Sequence, residues 1–255
     1  MPSHNDSAII LRGHDFGEAD RIISFFCKHH GKIRAIAKGA RKIKSRFAGR
    51  LEPFHRVDIT YFGRENAGLY KLSGIDLRAM RSGIADDLEK FARACYVTEL
   101  VELSTRDGDP NMRVFMAADA ALDIMASESN VRDLDWITRF FDVKLLNHLG
   151  YGPTLDKCVA CGRVLQDAGK LAFDVGRGGV LCGACGRHAR KTVLLTQGAA
   201  KFLARIVGTD FGKAARLKPS PAMMEEITGV VSAFRDSRIQ SKINSERFFA
   251  NASNY

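Results

Sequence analysis

Four of the six cysteines fall into two pairs, CVAC at 158–161 and CGAC at 182–185, with twenty residues between them. A C-x-x-C turn aims two thiolates at one ion, and two such turns supply the four ligands of a tetrahedral site. Soft sulfur ligands favour zinc or iron over hard cations. Cys158, Cys161, Cys182 and Cys185 are therefore the expected ligands, holding one Zn²⁺ per chain. Four protein ligands close the coordination sphere, so such a zinc is structural rather than catalytic. Unrelated reduced turns and a redox dithiol compete with this reading. The duplication at a zinc-like spacing weighs against both. Gly162 and Gly186 follow the second cysteine of each pair, where left-handed backbone suits a tight knuckle. The metal would order a segment too short and glycine-rich to build its own core. His188 reads as a surface histidine, and Cys27 and Cys95 as small buried apolar residues.

The second chemical feature is charge. The chain carries 39 Lys and Arg against 29 Asp and Glu, a net +10. Nine of those cations lie between Lys28 and Arg50, with no acid among them. Six fall in KGARKIKSRFAGR, residues 38–50. Such a run is a solvated loop, a sorting signal, a lipid-binding patch or a surface for nucleic-acid phosphates. Basic residues on the preceding strand, at Lys32, Arg34 and Lys38, favour a binding surface. Phe47, Tyr61 and Tyr70 are aromatic candidates for stacking on bases, or for the core. No base-reading pattern is present, so binding would be largely independent of sequence.

Five short runs before residue 80 alternate or are rich in β-branched and aromatic residues: Ala8–Arg12, 20–28, 31–39, 55–63 and 68–77. Gly13, Gly17, Gly31, Gly39, Gly63 and Gly68 punctuate them. Five strands in this span suggest a small barrel, of OB-fold or SH3-like type. The basic run then lies between the third and fourth strands. Small barrels of this kind bind nucleic acid through a charged groove and adjacent loops.

Beyond residue 80 the period becomes helical. Leu88, Phe91, Ala92, Cys95, Tyr96, Leu100 and Leu103 form the expected apolar face of a first helix. Helices follow at 111–126 and 134–149, the latter closed by Gly150 as C′. The stretch 155–190 shows no clear period. Two further helices are capped by Thr196 and by Ser220, the second with Pro221 at its first position. The tail from Asn244 reads as a polar, unstructured end.

No P-loop, HExxH, GxSxG or GxGxxG motif occurs. Asp86–Asp87 and Glu225–Glu226 read as solvated helix faces, and His29–His30 as part of a turn. No catalytic residue is expected. No apolar run of about 18 residues predicts a membrane helix, and no secretory signal is visible, so the expected compartment is the cytoplasm.

In this order the features resemble one family. GEADRIISFFCKHHGKIRAIAKGARKIKSRFAGRLEPF, residues 17–54, closely resembles the N-terminal region of the bacterial recombination mediator RecO family. The G-E-x-D-R-I turn, the A-K-G-A-R-K run and the L-x-P-F that follows match its order and spacing. Some members lack the four cysteines, whereas all four are present here. The resemblance implies an α+β chain: an OB-fold domain at 1–80, then an α-helical domain at 81–255 with a zinc finger inserted at 156–188. It implies a non-enzymatic DNA repair role in the RecF pathway, in the bacterial nucleoid. RecO-like proteins bind single- and double-stranded DNA and anneal complementary strands. With RecR they help load RecA onto strands coated by single-strand binding protein.

The matched basic positions Lys38, Arg41, Lys42, Lys44 and Arg46 are the DNA contacts this implies. Arg34, Arg50 and Lys71 are added from the strand pattern alone. The family also binds the acidic C-terminal tail of single-strand binding protein through its helical domain, for which Arg139, Lys144, Lys201 and Arg205 are candidates. The competing reading is an RNA- or ribosome-associated zinc-containing binding protein. A metal-dependent nuclease is the third.

Overall fold

Residues 3–79 form five strands: β1 (Ser3–Phe16), β2 (Asp20–Cys27), β3 (Gly31–Ala37), β4 (Arg56–Phe62) and β5 (Tyr70–Ala79). The computed structural model describes residues 2–64, 68–165 and 169–248. The strands close a barrel in the order β1-β2-β3-β5-β4. Neighbours run antiparallel except β3 and β5, which pair in parallel through Ala35–Tyr70 and Ile36–Lys71. Strict alternation on β3 and β4 turns Ile33, Ala35, Ala37, Val57, Ile59 and Tyr61 inward, as the period of two requires.

β1 is longer than its apolar run. Ser3–Ile9 pairs with β4 and Ala8–Phe16 with β2, and a bulge between Ile10 and Arg12 bends the strand between its partners. The polar flanks HNDS and GHD hid both extensions. Gly13 lies inside this strand rather than at a turn; a Cβ there would sit 2.6 Å from Ile23 Cδ1.

The barrel belongs to a compact unit of residues 1–129 with 243–255; residues 130–242 form the second unit. In the first, α1 (Leu88–Ser104) and α2 (Met112–Ser127) complete the packing. Asp87 caps α1, accepting from the N–H groups of Glu89 and Lys90, so this acid is not a solvated face. The predicted apolar stripe of α1 holds at Ala92, Tyr96 and Leu100, which are buried, but the covered face extends to the other side of it. Ala94, Val97 and Val101 are buried, whereas Leu88 is 70% exposed and Phe91 and Leu103 also reach solvent. A helix apolar on nearly every side does not reveal from its period which side is covered.

The tail is also fastened. Glu99 of α1 accepts hydrogen bonds from the N–H of Asn244 (2.9 Å) and from the N–H of Ser245 (2.8 Å), and Ser245 is buried. This corrects the unstructured reading as far as Phe248; the remainder lies outside the described residues.

The second unit holds α3 (Val131–His148), β6 (Lys170–Asp174), β7 (Gly179–Leu181), the short α4 (Gly183–Gly186), β8 (Thr192–Thr196), α5 (Gln197–Gly208), α6 (Phe211–Ala214) and α7 (Pro221–Arg238). Gly150, Thr196, Ser220 and Pro221 stand at the expected helix ends. The sheet β7-β6-β8 was not visible in the sequence, because its strands are three to five residues long. Phe173 of β6 meets Phe234 of α7 edge-on at 5.5 Å. The stretch between the cysteine pairs therefore does bury apolar residues, namely Leu171, Phe173, Val180 and Leu181. Glu226 is no solvated acid either: it accepts from the N–H and hydroxyl of Thr196, at 2.7 and 2.8 Å. Among the described residues no helix is long and apolar enough to cross a membrane.

Candidate nucleic-acid interface and metal centre

The loop joining β3 to β4 carries the basic run, and both of its legs are tied down. On the first, Gly39 N–H donates to Asp20 at 2.8 Å and Arg41 N–H to the Ala19 carbonyl at 2.9 Å. On the second, Phe47 (2% exposed) and Leu51 join the barrel core. Gly39 and Gly49 have φ of 69° and 70°, a left-handed backbone that a side chain would strain. The loop ends in LEPF, where Phe54 itself has φ 75°. Phe54 is held there by two bonds: its N–H donates to the Ile10 carbonyl, and its carbonyl accepts from the buried Arg81 guanidinium. Arg81 in turn reaches Asp119 and Asp123 of α2.

Phe47 and Tyr61 are thus core residues, not stacking faces, and Tyr70 is half-buried with its ring edge-on to Tyr61. An exposed aromatic on the neighbouring hairpin is Phe16, at 49%. It ends β1 at the turn of the β1–β2 hairpin, whose Asp15, Glu18 and Ala19 all contact Arg41. A lone phenylalanine before a turn gave no signal in the sequence.

The eight predicted cations separate into two groups. Arg34, Arg41 and Arg50 lie within 3.9, 3.3 and 3.9 Å of Asp107, Asp15 and Asp76. The run has no acid in sequence, but the fold brings acids to it from other segments. Lys38, Lys42, Lys44, Arg46 and Lys71 are exposed and have no acid in ion-pair reach among the described residues. Arg46 covers the Phe47 ring at 4.8 Å. Lys32, counted with the run, does different work. Its ammonium donates to the carbonyls of Glu102 and Thr105 at 2.7 and 2.8 Å, closing the C-terminus of α1.

Two predicted cations of the second unit are likewise committed. Arg139 donates to Asp142 and Ser232, and Lys144 to the carbonyls of Val207 and Thr209 at the C-terminal end of α5. Both are buried and are withdrawn as surface contacts, while Lys201 and Arg205 lie on the exposed side of α5. The His29–His30 turn is held by Asp6, which accepts from both backbone N–H groups and contacts His30 Nδ1 at 2.7 Å.

In the second unit the ligand atoms of Cys158, Cys161, Cys182 and Cys185 all lie within 4.8 Å of one another. Tetrahedral zinc with bonds of about 2.3 Å sets its sulfurs roughly 3.8 Å apart. The Cys161–Cys182 separation is 3.8 Å, so the arrangement fits such an ion. Gly162 takes the left-handed conformation (φ 74°) and its N–H closes on the Cys158 carbonyl at 2.8 Å. Gly186 does not; it ends the helical turn α4, its N–H bonded to the Cys182 carbonyl.

Burial opposes ionisation of Cys158, but the N–H groups of Cys182, Cys161 and Ala160 outweigh it and bring the thiol down to about 6. The neighbouring sulfurs of Cys182, Cys161 and Cys158 push Cys185 up to about 12. A dication favours the thiolate form of its ligands and so displaces the proton that Cys185 keeps in this cluster. Cys27 is fully buried, whereas Cys95 is only half covered; burial, then Glu99, pushes it up to about 11. His188 is exposed, as expected.

The closed five-stranded barrel with a cation-rich β3–β4 loop defines a protein of the OB-fold class, followed by helices and a four-cysteine metal-binding cluster. The chain belongs to the recombination protein O family, a family of DNA repair and recombination. The model of its N-terminal part matches residues 1–81 and that of its C-terminal part residues 85–247. Similar relatives are the DNA repair protein RecO of Desulfatibacillum aliphaticivorans, 33% identical over 97% of this chain and 96% of its own. That of Myxococcus xanthus is 31% identical over 98% of both chains. That of Geobacter sulfurreducens is 36% identical over 84% of both.

Proposed function

We propose that the chain is a non-enzymatic mediator that binds single- and double-stranded DNA and anneals complementary strands. Residues 1–80 form the DNA-binding domain. Residues 81–255 form the helical domain, with the zinc finger at 156–188 as a structural insertion holding one Zn²⁺. One observation carries this reading: Lys38, Lys42, Lys44 and Arg46 project from a loop anchored at both ends, with no acid in ion-pair reach among the described residues. Cations in that state exchange solvent for phosphate at little conformational cost and release the counterions of the strand. Lys71 lies next to Ile36 of β3 and extends the surface across the barrel wall. Arg34, Arg41 and Arg50 contribute less, since an acid already holds each. Phe16 offers the stacking face. Two strands held on one basic surface repel each other less, which favours pairing.

In the cell this activity works in the nucleoid, with RecR, to load RecA onto strands coated by single-strand binding protein. Lys201 and Arg205 on α5 are the remaining candidates for the acidic tail of that protein. The test is annealing of complementary strands, bare and coated with single-strand binding protein, with and without magnesium. Annealing in the absence of ATP and magnesium is expected. Magnesium-dependent cleavage would replace the reading with a nuclease, and a strong preference for RNA over single-stranded DNA of equal length would replace it with an RNA-binding protein.

A further inference from the structure

The apex of the β3–β4 loop carries a side chain that phosphate binding does not use. Ile43 is 100% exposed. The Ser45 N–H donates to the Lys42 carbonyl at 2.9 Å, which sets Ile43 and Lys44 at the two central positions of a turn. Glycine, asparagine, aspartate and proline favour such positions for backbone reasons. A β-branched apolar residue has none. Other exposed apolar residues of this unit, such as Phe16, Leu69, Met80 and Leu88, keep part of their surface covered. Lys42 and Lys44 flank Ile43, and neither has an acid in reach among the described residues. The apex cannot fold back easily, because one leg is bonded to Ala19 and Asp20 and the other ends in the barrel core.

We propose that Ile43 is an apolar wedge that enters between adjacent bases of a nucleic-acid strand whose phosphates Lys42 and Lys44 hold. This rests on the phosphate-binding reading above and extends it to the bases. An exposed isoleucine gains from contact only where water is excluded, and the flanking ammonium groups select a polyanion. A nucleic-acid strand joins both demands at short range, since an apolar slot between stacked bases lies beside charged phosphates. Proteins that part base steps use side chains of this kind. A lipid surface also joins anionic heads to an apolar interior, but stable attachment there takes an amphipathic helix or a second anchor. A protein partner would call for a contiguous apolar patch rather than one isolated side chain. The wedge has no sequence preference, since every base step offers a π-face. Its effect is to unstack a bound strand locally, which frees base edges for a complementary strand.

The test uses the full chain and oligonucleotides with 2-aminopurine at successive positions, single-stranded and duplex. Unstacking by the wild-type protein raises the fluorescence of the bound probe. Ile43→Ser removes most of that rise and weakens binding severalfold at every salt concentration, leaving the salt slope in place. Ile43→Phe restores the rise. The side chain is fully exposed, so both variants keep the melting temperature. Lys42→Ala with Lys44→Ala lowers the slope by roughly 1 to 2. A full fluorescence rise in Ile43→Ser overturns the wedge while a changed slope in the lysine variant leaves phosphate binding standing. An unchanged slope in the lysine variant sinks the phosphate reading and the wedge with it. Vesicles of anionic lipid form the last arm: Ile43-dependent binding to them, with no Ile43-dependent change in 2-aminopurine, makes the apex a lipid contact and overturns the proposal.

Discussion

The β3–β4 loop and the cysteine knuckle are both irregular, glycine-containing and basic, yet they are ordered by opposite means. The second leg of the loop is anchored by carbon: Phe47 and Leu51 enter the barrel core, and the lysines that precede them, Lys42 and Lys44, are left exposed. The knuckle has sulfur in that place: its four thiols converge into a cluster that a metal would hold, and its chemically reactive side chains would be used up in holding it. An apolar anchor releases charge for outside partners, whereas a ligand anchor spends it internally. The same division separates the lysines. Lys42 and Lys44 are exposed without an acid partner among the described residues, while Lys32 and Lys144 close helix ends with their ammonium groups.

The largest expected effect follows from removing the metal. Elemental analysis should find about one zinc per chain. Chelation, or Cys158→Ser, should abolish amide protection around 154–187, because structural zinc contributes on the order of 10 kcal/mol to folding such a segment. Barrel amides in β1–β4 should keep theirs, which hydrogen exchange can read separately. Loss of protection in both places would break the contrast between the two anchors. Stoichiometric iron with visible absorption would mean a cluster instead.

Next in size is the carbon anchor. Phe47→Ala should cost roughly 3–5 kcal/mol in denaturant unfolding, the usual loss for a buried aromatic. Phe47→Leu should recover much of it. A loss below about 1 kcal/mol would mean that the loop merely lies on the barrel. Smaller again are the free cations. Lys42→Ala with Lys44→Ala should leave the melting temperature unchanged and reduce the salt slope of DNA binding by roughly 1 to 2. Arg41→Ala with Arg50→Ala should reduce it less, since Asp15 and Asp76 already offset those charges. Equal reductions in the two pairs would show that acid pairing does not sort the surface.

Much of this was legible from spacing. Two C-x-x-C pairs name their ligands because a metal site depends on a few residues at short range. Strands β2–β4 were legible because a half-buried strand writes its environment with a period of two. Burial against more than one neighbour was not. Leu88 and Phe91 look like core positions on α1, and only the placement of the barrel and α2 turns Val97 and Val101 inward instead. Pairing across the fold was equally hidden. Nothing local tells that Asp15, Asp76 and Asp107 will stand beside Arg41, Arg50 and Arg34, or that Arg139 and Lys144 will be buried. Of the three aromatic candidates, Phe47 and Tyr61 took the core alternative for a related reason, since an aromatic beside cations is also good barrel filling.

The tail is a third irregular segment, and among its described residues there is neither a metal-ligand cluster nor a buried aromatic, so it should be the weakest of the three. Its hold is the Glu99 carboxylate, which accepts from the N–H of Asn244, and from the N–H and hydroxyl of Ser245. Burial alone would raise the Glu99 pKa, but the bonds from Ser245 and Asn244 outweigh it and set the group below its usual value of 4.5. A carboxylate lowered on folding stabilises the folded form above its unfolded pKa, and that stabilisation fades as pH falls through the folded value. Above about pH 5 the clamp is therefore at full strength, and it is lost only in stronger acid. The Ser245 amide proton resonance should titrate with a midpoint below 4.5, and Glu99→Ala should give the released spectrum at pH 7. Barrel and knuckle resonances should not follow that midpoint. A Ser245 resonance that stays fixed to pH 3, or that moves in Glu99→Ala as it does in the wild type, would show that Ile243 and its apolar contacts hold the tail instead, making carbon its anchor as it is for the loop.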